Sequence, residues 1–182
     1  EECGRPADPV ASARLPAATT WGHAAHSARG ACSRYAAQDM GTPWDRPAAR
    51  YLEEWVPRFV PYHLDLVQEL ALTQGQRVLV VSAGPGAEVL AVARAVGDRG
   101  AVRATDASDA LVGICDEQVK KAGFGAVTCE KAGPADVGAG NWNAIVCCFG
   151  LWSMPDRTSV LKSWAGALSA HGKVGVLTFG PP

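Results

Sequence analysis

The sequence has few charged residues, two methionines and no apolar run near the roughly eighteen residues of a membrane-crossing helix. Charged residues are 19% of the chain, below the ~25% usual for soluble domains, while 48% are apolar. A chain that apolar has enough to bury, which excludes disorder throughout. Seventeen basic against eighteen acidic side chains leave a net charge of −1, and no basic run stands out. The electrostatic argument for nucleic-acid binding is therefore absent. No CxxC pair occurs among the six cysteines, at positions 3, 32, 115, 129, 147 and 148. They read as small core residues of a chain in a reducing compartment rather than as a zinc site or disulfide framework. His23, His26 and Cys32 come nearest to a metal set, but a fourth ligand at zinc-like spacing is missing.

Methionine is also absent from the first position. The expectation from Glu1 is that a leading segment has been removed, and the Ala-, Ser- and Arg-rich stretch that follows has the composition of an organellar, for example mitochondrial, targeting region. Residues 1–42 carry no sustained period, because Pro6, Pro9, Pro16, Gly22, Gly30 and Gly41 interrupt every element except a short helix near 27–38. They are expected to form an irregular N-terminal extension anchored by Trp21.

Residues 43–182 read as one α/β domain. WDRPAARYLEEW predicts a helix with Pro47 in its first turn. A second helix is expected to begin at Pro61, with Leu64, Val67, Leu70 and Ala71 on its inner face and Gly75 closing it. Five strands follow, at 78–81, 101–105, 127–130, 142–149 and 174–179. Helices are expected between them at 88–96, 109–122 and 159–168, the last with Leu161, Trp164 and Leu168 inward. His171-Gly172 is read as the turn into the last strand. Strands without polar alternation, separated by helices, predict a doubly wound, Rossmann-like parallel sheet with helices on both faces.

The Ser82–Gly86 turn links the first strand to a helix and points backbone N–H groups and a positive helix end toward a ligand. Asp106, at the end of the second strand, is placed to accept hydrogen bonds from both hydroxyls of a ribose. Together these features form a nucleoside cradle.

VLVVSAGPG, VRATDAS, NWNAIVCCFGLWSMPD and LSAHGKVGVLTF, preceded by WDRPAARYLEEW, resemble in order and spacing the motifs of class I S-adenosylmethionine-dependent methyltransferases of the small-molecule type. The resemblance covers roughly residues 44–182, and a nicotinamide-binding Rossmann protein would not explain FGLWSMPD. It implies S-adenosylmethionine as cofactor. Ala83, Gly84 and Gly86 would line its methionine side, Asp106 would bind the ribose and Ala107 would lie beside the adenine. Cys148, Phe149 and Gly150 would sit under the sulfonium. It names no catalytic base, and His63 and His171 read as structural.

The chain departs from the family pattern in three places. Val80 stands where the family has an acid that helps hold the cofactor's amino group. Ala132-Gly133-Pro134 replaces the GDA whose Asp bonds the adenine amine, with Asp136 the nearest substitute. The sequence also stops just past the fifth strand, without the family's C-terminal antiparallel hairpin. An open strand edge at Val174–Phe179 is then expected to be covered by a protein partner, with the N-terminal arm a further contact. Two functions are compatible with these readings. One is a methyltransferase-like domain, degenerate in cofactor binding, that serves as an accessory subunit of a larger assembly. The other is an active methyltransferase on a small-molecule acceptor.

Overall fold

A computed structural model describes residues 42–180. The element order is α1 (Ala48–Glu54), α2 (Val56–Glu69), β1 (Arg77–Val81), α3 (Ala87–Val96), β2 (Ala101–Asp106), α4 (Asp109–Lys121), β3 (Val127–Lys131), β4 (Trp142–Cys148), α5 (Arg157–Ala167) and β5 (Leu168–Leu177), with a 3-10 turn at Leu151–Ser153. The expected helix at 27–38, the Trp21 anchor, the His23–His26–Cys32 set and Cys3 lie outside the described residues.

All strand pairs are parallel, in the order β3-β2-β1-β4-β5. β1 is central because its residues are apolar without alternation, and Val78 to Val81 are all buried. Val78 and Val80 point into one core, with Val67 and Leu70 of α2, Val89 and Val92 of α3, and Cys115 and Val119 of α4. Leu79 and Val81 point into the other, with Ile145, Cys147 and α5's Val160, Trp164 and Ala167. Helices therefore cover both faces, as the sequence predicts. Among the described residues no antiparallel strand follows β5, which pairs with β4 alone.

Several local expectations are corrected. α2 does not start at Pro61 but at Val56, with Pro57 in its first turn and Pro61 inside. Pro61 costs the carbonyl of Pro57 its helical partner, yet both residues are exposed, so water can replace it. The buried face of α2 is Val56, His63, Val67 and Leu70, while Leu64 is 49% exposed and Ala71 is exposed. In α5 the inward residues are Val160, Trp164 and Ala167, and Leu161 faces out. His171-Gly172 is not a turn before β5 but part of a bulge within it. Trp142 pairs with Leu168 and Ala144 already with Lys173, so Ser169–Gly172 are left over. That bulge brings the Lys173 ammonium to the carbonyl of Leu70 at 2.9 Å, where it serves the C-terminal end of α2. Cys115, Cys147 and Cys148 are buried free thiols and Cys129 is half-buried, which fits core packing.

Trp164 ties α5 to the upper rim of the sheet. It is fully buried, and its indole N–H donates to the carbonyl of Pro134 at 2.7 Å. Trp164→Phe keeps most of the apolar area but leaves that carbonyl without its donor and a small void beside it. Chemical denaturation is expected to show a loss of roughly 1–3 kcal/mol. A loss below measurement error would mean that the hydrogen bond does not support the rim.

Candidate functional site

β1 and β4 are neighbours, and each is followed by a residue in the left-handed region, Ser82 at φ 53° and Phe149 at φ 55°. For side chains with a Cβ this costs on the order of 1–3 kcal/mol each, and such strain gathers where loops are held for a purpose. The two loops touch. A Cβ added at Gly150 would lie 2.5 Å from that of Ser82, so only glycine fits there. Between these loops and the end of β2 lies a cleft of about 260 Å³.

Its floor is Ser82, Gly84, Cys148, Phe149 and Gly150. Asp106, Ala107 and Leu111 form one end. Trp44 and Tyr51 close it from the segment around α1, edge to face with ring centroids 5.8 Å apart. Pro134, Ser153, Met154 and Pro155 complete the rim. Six of the eight sequence-derived cofactor residues, Gly84, Asp106, Ala107, Cys148, Phe149 and Gly150, thus come together on one surface. Ala83 and Gly86 do not line it. Ala83 is buried in the core, because its side chain continues the inward packing of β1. Gly86, at φ 92°, caps α3 and faces Cys115, whose sulfur would lie 2.7 Å from an added Cβ.

The Asp106 carboxylate is the hub of the loops. One oxygen accepts the N–H of Gly84 at 2.9 Å and the other that of Ser108 at 2.9 Å. Burial raises its pKa, opposed by these backbone hydrogen bonds. The N–H of Ala107 also bonds the carboxylate, so of its roughly four acceptor positions about one is left for a ligand. Ser108 in turn caps α4 through Leu111 N–H and donates to Asp45 at 2.6 Å. Asp45 also accepts from Ala110 N–H at 3.1 Å, so it pins the segment before α1 to the start of α4. Its pKa is lowered, first by the Ser108 hydroxyl and then by Ala110 N–H.

Two departures gain a physical account. Val80 is fully buried among the residues of α2 and α3, so its position is core and not cleft. Asp136 does not stand in for the missing acid of the third-strand exit, because Arg103 and the N–H of Gly138 hold its carboxylate. Pro134 does reach the cleft, but its carbonyl already accepts from Trp164.

Sequence reasoning missed Glu88. It lies in the first turn of α3, is 3% exposed, and its carboxylate is 3.8 Å from Nδ1 of the buried His63. That distance allows an ion pair but no hydrogen bond, and His63 Nδ1 has no partner. Burial pushes His63 down to about 4 and Glu88 up to about 8. Despite the ion-pair spacing, desolvation dominates and both groups are uncharged at neutral pH. An i, i+4 apolar pattern with one acid just after a glycine turn was the available signal.

The two groups set a pH dependence of opposite sign. Glu88 is raised from 4.5 to about 8, so its contribution is complete below 4.5 and is lost as pH rises through 8, by on the order of 5 kcal/mol. His63 is lowered from 6.5 to about 4, so its contribution is complete above 6.5 and is lost as pH falls through 4. Between 4.5 and 6.5 the slopes oppose each other, and above that stability declines. Urea denaturation of Glu88→Gln is expected to remove the decline between pH 6.5 and 8. An unchanged slope would show that another group causes it.

Comparison with known proteins agrees with this geometry. Residues 63–182 match the ubiE/COQ5 methyltransferase family. A demethylmenaquinone methyltransferase of Anoxybacillus flavithermus is 28% identical over 127 residues, which cover 69% of this chain and 54% of that protein. The chain thus spans little more than half of that relative's length. A SAM-dependent methyltransferase from Aquifex aeolicus superposes with a TM-score of 0.62 at 20% identity, covering 76% of this chain and 78% of that one. Coclaurine N-methyltransferase bound to N-methylheliamine and SAH gives 0.57 at 23% identity, covering 64% and 35%. The cyclase SpnF gives 0.56 at 23%, covering 62% and 42%, so the fold by itself does not dictate methyl transfer. With the family match spanning well over half of the sequence, this chain belongs to the ubiE/COQ5 methyltransferase family.

Proposed function

We propose that this chain binds S-adenosylmethionine in the cleft and serves methyl transfer to a small-molecule acceptor. The observation that carries the reading is the cleft itself, where Gly84, Asp106, Phe149 and Gly150 meet at the ends of β1, β2 and β4. The residues fit the group. A Cβ at Gly84 would meet nothing nearer than the Tyr51 ring at 4.0 Å, so the glycine faces open space, as close approach of a ligand requires. The acceptor capacity that Asp106 keeps beyond its three backbone donors suits a ribose hydroxyl.

When bound, the cofactor supplies an electrophilic methyl group on a sulfonium. The chain's part is to position the reactants and exclude water. Trp44, Tyr51, Phe149 and Met154 supply an apolar wall. Tyr51 is pushed up to about 12, chiefly by burial, so it remains a hydrogen-bond donor rather than a base. Burial also pushes the Cys148 thiol up, which keeps it protonated and unreactive. With Asp106 committed to the loops, the acceptor must be a nucleophile that does not depend on a strong base from these walls.

A second reading, an accessory subunit that no longer binds the cofactor, draws on two observations. A carboxylate at the Val80 position would be worth roughly 1–3 kcal/mol, and Val80 is apolar core. The outer side of β5 is unpaired among the described residues, with Val174 38% exposed, while Phe179 lies beyond the strand and packs on Phe149. On that reading a protein partner covers Val174–Phe179.

Titration calorimetry with S-adenosylmethionine separates the two. The catalytic reading expects micromolar binding, weakened about ten- to hundredfold in Asp106→Asn, whose amide cannot accept with both atoms. No heat at millimolar ligand would leave only the accessory subunit.

A further inference from the structure

The missing acid at Val80 and the unexplained acid at Glu88 lie on the same face of the sheet. Val80 packs with residues of α2 and α3, the helices that carry His63 and Glu88. Burying a carboxyl without a cation or a full set of donors is costly. The described hydrogen bond to the Glu88 carboxyl is from its own backbone N–H. Beside it, His63 Nδ1 is buried and unpartnered. Nothing in the packing needs this pair, and an apolar pair would serve the core better.

The pair also stands next to the cleft. His63 packs on Phe149, with centroids 5.9 Å apart, and Phe149 is part of the cleft floor. An ionised Glu88 would push the pKa of both Tyr51 and Cys148 further up, and both of these line the cleft. Glu88 sits in the first turn of α3, just past the loop that holds Gly84, the glycine that faces the open space.

We propose that Glu88 is the counter-charge for the ammonium of the cofactor's amino-acid tail, and that it gives up its proton to solvent when the ligand binds. The inference rests on the reading of the cleft as an S-adenosylmethionine site. It moves the family's strand-one acid to the neighbouring helix, where Glu88 does not line the cleft itself but lies behind its floor, 3.8 Å from the His63 that packs on Phe149. Binding breaks the O–H bond of Glu88, leaves the carboxylate opposite the cation and passes the proton to buffer. His63 stays neutral.

The groups around Glu88 allow this assignment. His63 from α2 is pushed down to about 4, and Tyr51 near α1 up to about 12. The thiols of Cys115 on α4 and of Cys147 and Cys148 on β4 are pushed up. None of these changes charge near neutral pH. Asp106 on β2 is the remaining acid, and the test separates it from Glu88.

The experiment is calorimetry on the full chain at pH 7 in phosphate and in Tris, whose ionisation enthalpies differ. The probes are S-adenosylhomocysteine, which has the ammonium but no sulfonium, and 5′-methylthioadenosine, which has neither. The first is expected to release close to one proton and to bind roughly ten- to fiftyfold more tightly at pH 8 than at pH 6. The second is expected to release none. Glu88→Gln should weaken S-adenosylhomocysteine about ten- to hundredfold at pH 8, abolish the release and leave 5′-methylthioadenosine unchanged. Absence of proton release in the unsubstituted chain overturns the proposal without reference to any variant. Release that persists in Glu88→Gln assigns the proton to another group, Asp106 first, and overturns it too. Equal weakening of both ligands would mark Glu88 as merely structural. If the unsubstituted chain binds neither ligand, the reading of the cleft falls, and the proposal falls with it.

Discussion

The Asp106 carboxylate is the contact on which the rest of the site depends. It is the one group bonded to both the glycine loop after β1 and the loop that starts α4. Without an acceptor at that point, the N–H of buried Ser108 would lack a partner, at about 1–3 kcal/mol, and the glycine loop would lose its tie to β2. The acceptor chosen is the group that would also meet a ribose. On the proposed reading, structure and recognition share one side chain. The same economy extends outward through Ser108 to Asp45, which brings Trp44 and Tyr51 over the cleft.

The fold was legible because β1 and β4 are apolar without alternation, a pattern that only a doubly covered parallel strand requires. The glycines and Asp106 were legible for a similar reason, since their roles follow from backbone geometry and spacing. Helix faces were less so. In α2 the sequence offers Leu64 as readily as His63, and the hydrophobic choice is the wrong one, because the helix begins five residues earlier than Pro61 suggests and buries Val67 and His63 against the core and α3. Leu161 and Val160 pose the same ambiguity in α5, and Trp164 settles it by reaching Pro134. Glu88 was hidden in a different way. A charged residue in an apolar helix reads as the solvent-facing position, and only the packing of α2 against it shows that it has no solvent to face.

Methyl transfer asks little covalent work of a protein, and the cleft is built accordingly. Burial holds Tyr51 and Cys148 in their neutral forms, which leaves Asp106 as the acid of the cleft wall. In such a medium a single fixed charge acts strongly. The family pattern puts that charge on a strand, and here the nearest acid to the same face is on a helix. A position can thus become core, as Val80 has, when a neighbouring element offers a replacement in space rather than in sequence.

The two borders of the sheet differ in kind. Along β3, Arg103 is engaged by Glu130 and Asp136, and Lys131 by Asp109, so the ladder ends in a fringe of committed charges. Along β5 the nearby ammonium, Lys173, is turned back onto Leu70, and Val174 is left partly exposed. Charged fringes discourage a further strand and bare apolar ones invite it. Among the described residues the sheet is in this sense polarised across its width, charged along β3 and apolar along β5.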